Sequence, residues 1–137
     1  MRRGARLVTN GTENHLVLVD VDTSYGLTGR QAESALVEAG VVTNRNSIPL
    51  DPNGAWYTSG IRLGSPALTT LGLDPDDFDE IADIISSVLK DTQPASGQTG
   101  TSKARFDLPP ETAESSRERC ADLLSRHPLY PTIQLTA

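Results

Sequence analysis

Cysteine is nearly missing from the 137 residues: Cys120 is the single thiol. One thiol closes no internal disulfide, which suits a reducing compartment. On the apolar face of a predicted helix it reads as a small core residue rather than a nucleophile. Aromatics are only 4% of the chain, so a core must be built from Val, Leu, Ile and Ala. Lysine occurs twice, as Lys90 at a predicted helix end and Lys103 in a Ser/Thr/Gly-rich stretch. Neither sits in the apolar setting a Schiff-base lysine needs. No apolar run approaches the roughly 20 residues that span a bilayer, and the amino terminus lacks a signal peptide's apolar stretch, so the chain reads as cytoplasmic. Basic residues are outnumbered 12 to 18, for a net charge of −6. That balance repels phosphate backbones and argues against a nucleic-acid partner; the short cluster Arg2, Arg3, Arg6 reads as a solvated chain end. There is no phosphate-binding loop, nucleophile elbow, dinucleotide fingerprint or zinc-ligand spacing. No residue of this chain is assigned a catalytic or metal-binding role.

What remains is an ordinary globular composition, 36% hydrophobic and 22% charged, long enough to bury a core. Arg6–Thr9 is a short candidate strand, and Asn10-Gly11 a turn. His15–Val21 is nearly continuous in apolar residues and reads as a strand covered on both faces. Thr28 and Gln31 have the spacing of a capping box, Ala32, Ala35, Leu36 and Ala39 follow at helical spacing, and Gly40 supplies a left-handed stop. Val41–Thr43 is β-branched and predicts a strand. Asn44–Tyr57 is too irregular for an element, and a loop this long is usually functional. Ser59–Leu63 predicts a strand, and Pro66 opens a helix to about Leu71. Asp74-Pro75-Asp76-Asp77 is the strongest helix start, followed by a stripe of Phe78, Ile81, Ile84, Ile85, Val88 and Leu89. Its acids (Asp76, Asp77, Asp79, Glu80, Asp83) read as a solvated face, not a metal site. Gln93–Lys103 reads as flexible. A last helix runs from Pro110 to about Arg126, with Ala113, Ser116, Cys120, Leu123 and Leu124 on one side, and Leu129-Tyr130-Pro131 is expected to dock the tail. The order predicts an α+β fold, a small mixed or antiparallel sheet with helices on one face. The expected divisions are 1–92 as a small domain, 93–109 as a flexible linker and 110–137 as a terminal helix and tail.

Three polar stretches carry the candidate chemistry: Gly11–His15, Asn44–Pro49 and Thr58–Pro66. Arg62 stands in a strand between Ile61 and Leu63, with Gly60 and Gly64 one position further out. Small flanking residues let a ligand approach the backbone, and a planar guanidinium suits bidentate capture of a carboxylate or phosphate. Spacing alone leaves that reading level with a second, in which Arg62 pairs with a local Asp or Glu. His15 reads as a structural hydrogen-bonder, and Asn44 and Asn46 as residues able to shape turns. The residues alone describe an anion-binding domain without a catalytic centre.

These stretches resemble the serine hydroxymethyltransferase family. Gly11-Thr12-Glu13-Asn14-His15-Leu16-Val17-Leu18-Val19-Asp20 is similar to that family's G-T-D-N-H-L-x-L-V-D, and Gly26-Leu27-Thr28-Gly29 to its G-L-T-G. Asn44-Arg45-Asn46-Ser47-Ile48-Pro49 with Asp51-Pro52 resembles N-K-N-x-I-P-x-D-P, and Thr58 to Ala67 resembles T-S-G-[IL]-R-[IVL]-G-T-P-A. The four motifs keep their order and spacing over residues 6–90, and 93–137 resembles an extension of actinobacterial members. The resemblance implies the small C-terminal domain of a fold-type I pyridoxal-phosphate enzyme that interconverts serine and glycine, with tetrahydrofolate accepting the one-carbon unit, and whose complete form is a homodimer. It assigns Arg62 to the substrate carboxylate, Asn46 to the pterin ring and the 44–57 loop to the folate site, with His15 structural. Glu13, Arg45, Ser65, Asn10 and the Gly54-Ala55-Trp56 run depart from the pattern. Family members are several times longer, and their threonine-rich cofactor-lysine motif has no counterpart here, so this chain alone is expected to be inactive. The alternative is a non-catalytic stand-alone module that binds folate or carboxylates or modulates a partner, or a decayed remnant. A domain evolved to stand alone should expose no broad apolar patch, whereas one that belongs to a larger fold should.

Overall fold

A computed structural model describes residues 4–97 and 100–130. Four strands form one antiparallel sheet in the order β1-β2-β4-β3: β1 (Arg6–Leu7), β2 (Leu16–Asp20), β3 (Asn44–Asn46) and β4 (Gly60–Gly64). Helices α1 (Val21–Tyr25), α2 (Gly29–Glu38), α3 (Gly54–Tyr57), α4 (Pro66–Thr70), α5 (Pro75–Asp91) and α6 (Pro110–Ser125) complete the α+β fold with a two-stranded hairpin, β5 (Gln93–Gly97) and β6 (Gly100–Asp107).

Local chemistry sets the helix ends. The Thr28 hydroxyl accepts from the Gln31 amide at 3.2 Å while Gln31 Oε1 accepts from the Thr28 amide at 2.9 Å, so both halves of the capping box form. Asp74 accepts from the amides of Asp76 and Asp77 ahead of α5. Gly40 takes φ 89°, which a side chain would resist, and lets the Val41 amide close on the Leu36 carbonyl at 2.8 Å. The core lies between the sheet and α2, where Val19, Ile61, Leu27, Ala32, Ala35, Leu36 and Ala39 meet Val88 and Leu89 of α5.

Several expectations are corrected. Val41–Thr43 is not a strand: the Val41 amide serves the helix end, Val42 is exposed, and β4 pairs instead with Asn44–Asn46. Strand preference reflects packing against a neighbour rather than the residue itself. The 44–57 run therefore contains two elements, β3 and α3. His15–Val21 is not covered on both faces, since β2 runs only from Leu16 to Asp20 and Leu16 is exposed.

The stretch read as a linker is the β5–β6 hairpin, and it is tied down by buried Gln31. The Gln31 side-chain amide donates to the carbonyls of Ser102 (2.7 Å) and Arg105 (2.8 Å), and the Thr28 hydroxyl donates to the Lys103 carbonyl (2.8 Å). The acids of α5 are not simply solvated either. Asp77 is buried and meets Arg126 Nη1 at 3.1 Å and His127 Nε2 at 2.9 Å, while Glu80 accepts from Arg119 Nε at 2.7 Å. Helical periodicity shows which residues share a face but not which partner covers it. On α6, Ala113, Ser116 and Leu123 are buried and Cys120 is half-buried, where loss of water pushes its thiol pKa upward. Leu124 is exposed, and so are Leu129 and Tyr130, so these two do not dock the tail. Pro131 lies outside the described residues, as do Arg2 and Arg3; Arg6 pairs with Asp20 at 3.6 Å.

Three carboxylates make stability pH-dependent. The Asp74 amide, then His127 and Arg126, hold Asp77 below its ordinary 3.8, with partial desolvation opposing them. The Arg119 hydrogen bond holds Glu80 below 4.5, and Asp51 is likewise lowered. A depressed carboxylate stabilises the fold above its unfolded-state value and loses that contribution as pH falls through the folded one. The urea midpoint should therefore be level near neutrality and fall below about pH 4–5; an unchanged midpoint at pH 3 would contradict this linkage.

Candidate functional site

The register of β2, β4 and β3 decides which side chains share a face. Leu18 pairs with Arg62 and Arg62 with Asn44; Asp20 pairs with Gly60 and Gly60 with Asn46. Alternate residues of a strand point to opposite sides. Val19 and Ile61 therefore face the helices, while Leu18, Arg62, Asn44 and Asn46 lie on the other face. Arg62 and Asn46 are diagonal neighbours across one ladder step, about 7–8 Å apart by general sheet geometry.

Both line one cleft of about 720 Å³, which Thr12, Glu13 and Asn14 also line. The three polar stretches singled out in the sequence thus meet at one place. Arg62 is exposed to the cleft, and among the described residues it forms no ion pair, although Glu13 lines the same space. A guanidinium held this way can receive a carboxylate through two parallel N–H donors. Among the described residues Asn46 Nδ2 donates to the Ser47 carbonyl at 2.7 Å. His15 is exposed and does not line this cleft; its carbonyl accepts from the Ser65 amide at 3.1 Å.

Asp51 organises the loop that follows Asn46. Its Oδ1 accepts from the Ser59 hydroxyl (2.6 Å) and the Asn53 amide (2.9 Å), and its Oδ2 from the amides of Ser59 (2.9 Å) and Ile48 (3.1 Å). Partial burial pushes this carboxyl upward, but these four hydrogen bonds together hold it below the ordinary range. One side chain thereby joins both ends of the 48–59 excursion to the root of β4. Nothing in the local sequence points to a bond between Asp51 and Ser59. At the outer end, the guanidiniums of Arg30 (5.3 Å) and Arg45 (5.5 Å) both lie over the ring of exposed Trp56. Such exposed cation–π contacts are worth about 0.5–1 kcal/mol each. Thr58, a β-branched residue at φ 55°, closes α3 just before β4, a strained conformation held by its surroundings. Asp51→Asn should loosen the loop while leaving the sheet intact, seen as faster hydrogen exchange at the Ile48 and Ser59 amides with unchanged exchange in β2; equal exchange at those two amides would refute the hub.

Compared with known families, residues 1–85 match the model of the family described as serine hydroxymethyltransferase. The chain belongs to the serine hydroxymethyltransferase family. It is 61% identical over 135 residues to the serine hydroxymethyltransferase of Mycolicibacterium smegmatis, covering 98% of this chain and 26% of that protein. It is 58% identical to that of Salinispora tropica over 98% of the chain and 28% of the relative. The corresponding protein of Cutibacterium acnes is 55% identical, with the same two coverages. The chain thus spans about a quarter of the length of these serine hydroxymethyltransferases.

Proposed function

We propose that this chain supplies the substrate-carboxylate clamp and the folate contacts of a serine hydroxymethyltransferase, which interconverts serine and glycine with tetrahydrofolate as one-carbon acceptor. In this reading residues 1–92 are the family's small domain, Arg62 receives the amino-acid carboxylate, Asn46 bonds the pterin, and the loop held by Asp51 lies over the folate. The carrying observation is that Arg62 and Asn46 share one cleft with the Gly11–Asn14 turn. A cytoplasmic homodimer is part of the same proposal.

Pyridoxal phosphate supplies the electron sink in this chemistry, but the residues described here do not fit it as a resident cofactor. Lys90 and Lys103 are both exposed, and neither lines the Arg62 cleft. The clamp therefore needs a cofactor site from elsewhere in a family-length enzyme. The pure 137-residue chain should release no glycine from serine when given pyridoxal phosphate and tetrahydrofolate; measurable turnover would overturn this assignment.

A chimera tests the positive half. It joins the preceding three-quarters of the Mycolicibacterium relative to this chain in place of its own matched stretch. Asn46→Ala should raise the KM for tetrahydrofolate about tenfold, in line with a lost hydrogen bond of roughly 1–1.5 kcal/mol, and leave the serine KM within twofold. A rise confined to serine would refute the folate role.

A further inference from the structure

Arg62 shares its cleft with a side chain of opposite charge, Glu13. The turn that carries Glu13 is braced on both sides. The Thr12 hydroxyl donates to the Leu16 carbonyl at 2.6 Å, the Leu16 amide donates to Asn14 Oδ1 at 2.8 Å, and the Asn14 amide donates to Thr12 Oγ1 at 3.2 Å. Two residues past Glu13, the His15 carbonyl accepts from the Ser65 amide at 3.1 Å, just beyond β4. These bonds fix the backbone around Glu13 without using its side chain. Among the described residues its carboxylate forms neither a hydrogen bond nor an ion pair, and it is exposed to the cleft.

Asn46 adds a second acceptor. Its Nδ2 is taken by the Ser47 carbonyl, and among the described residues its amide oxygen forms no hydrogen bond. The cleft therefore offers two acceptors in Glu13 and Asn46, and one bidentate donor in Arg62. An ionised carboxylate only accepts. An amino-acid carboxylate would be drawn to Arg62 and repelled by Glu13. The group that matches Glu13 is a flat ring edge with adjacent N–H donors. Tetrahydrofolate has such an edge: the aminopyrimidinone half of its pterin carries a ring N–H beside an exocyclic amino group. Two parallel N–H donors meeting one carboxylate repeat the fork of a guanidinium–carboxylate pair.

We infer that Glu13 is a specificity-determining residue for the folate, its carboxylate accepting the paired N–H donors of the pterin while Asn46 bonds the same ring from β3. The inference rests on the folate reading of this cleft and adds a charged contact to it. The family pattern carries aspartate at this position, so Glu13→Asp keeps the charge and shortens its reach by one methylene.

The test is steady-state kinetics in the chimera with two co-substrates, tetrahydrofolate and its analogue in which a methyl group replaces the exocyclic amino group. The parent should prefer tetrahydrofolate by about ten- to a hundredfold in kcat/KM, because a site built to bond an N–H rejects a ligand that lacks it. Glu13→Gln should shrink that preference at least about fivefold, raise the tetrahydrofolate KM about tenfold and leave the serine KM within about twofold. Glu13→Asp should recover part of the loss. Glu114→Gln, which removes the same charge from the exposed side of α6, should change neither co-substrate's kinetics. Glu13 is exposed, so its variants should keep the parent's urea midpoint. An equal preference in the parent and in Glu13→Gln would overturn the inference. If Asn46→Ala still raises the tetrahydrofolate KM in that case, the folate reading stands without Glu13; if it does not, that reading falls too. A serine KM that drops in Glu13→Gln while the folate kinetics stay unmoved would show that Glu13 competes for Arg62, and would likewise overturn the inference.

Discussion

Gly29→Ala should destabilise the chain by about 1–3 kcal/mol or more, against a helix preference that favours alanine by up to about 1 kcal/mol. Gly29 is buried at the first position of α2, and its amide donates to the Thr58 carbonyl at 3.0 Å. A methyl group there would fall on the Thr58 hydroxyl and on the Gly60 carbonyl oxygen, with Arg45 Cβ 3.3 Å away. The Gly60 oxygen is backbone inside a hydrogen-bonded strand, so the helix, not the obstacle, has to move. Gly64→Ala is the control: its new methyl would meet Leu16 Cδ2 at 3.4 Å, an ordinary contact. Urea unfolding of both variants decides the matter, and a Gly29→Ala midpoint equal to that of Gly64→Ala would show that α2 does not start against β4.

In the chimera, Arg62→Ala should cost about 2–5 kcal/mol in kcat/KM for serine, roughly thirty- to several-thousand-fold, if the carboxylate loses in the closed site the bidentate partner proposed above. Arg62→Lys should restore part of this at most, because an ammonium cannot present the planar fork. Arg62 is exposed in this chain, so both variants should keep the parent's far-ultraviolet circular dichroism and urea midpoint. A serine KM unchanged by Arg62→Ala would remove the clamp from the proposal while leaving the family assignment untouched.

The helix termini were legible because their determinants are local. Thr28 with Gln31, Asp74 with Pro75 and Gly40 each act within a few residues, and each forms the contacts its spacing implies. Strands were harder, since a strand exists only by virtue of its neighbour. Asn44–Asn46 has poor strand composition yet pairs with β4, and the Ser/Thr/Gly-rich Gln93–Lys103 stretch lies in a hairpin, β5 with β6, whose partner group, Gln31, is about seventy residues distant. The acids of α5 looked solvated because nothing in their own helix announces Arg119, Arg126 or His127. Arg62 and Asn46 could each be singled out from the sequence, but their meeting on one face depends on a register that only the assembled sheet reveals.

The Gln31 tether also bears on the order of events as the chain folds. Its amide hydrogens are accepted by carbonyls 71 and 74 residues further along, so the first turn of α2 can be nucleated early by its capping box but acquires its last partners only after the hairpin has been synthesised and closed. Contacts of such long sequence separation are slow to form, because loop entropy is lost before they reward it. The hairpin thus acts as a late lock on an early helix, and a ribosome-bound chain that ends before residue 102 would carry that helix with its buried glutamine still facing water.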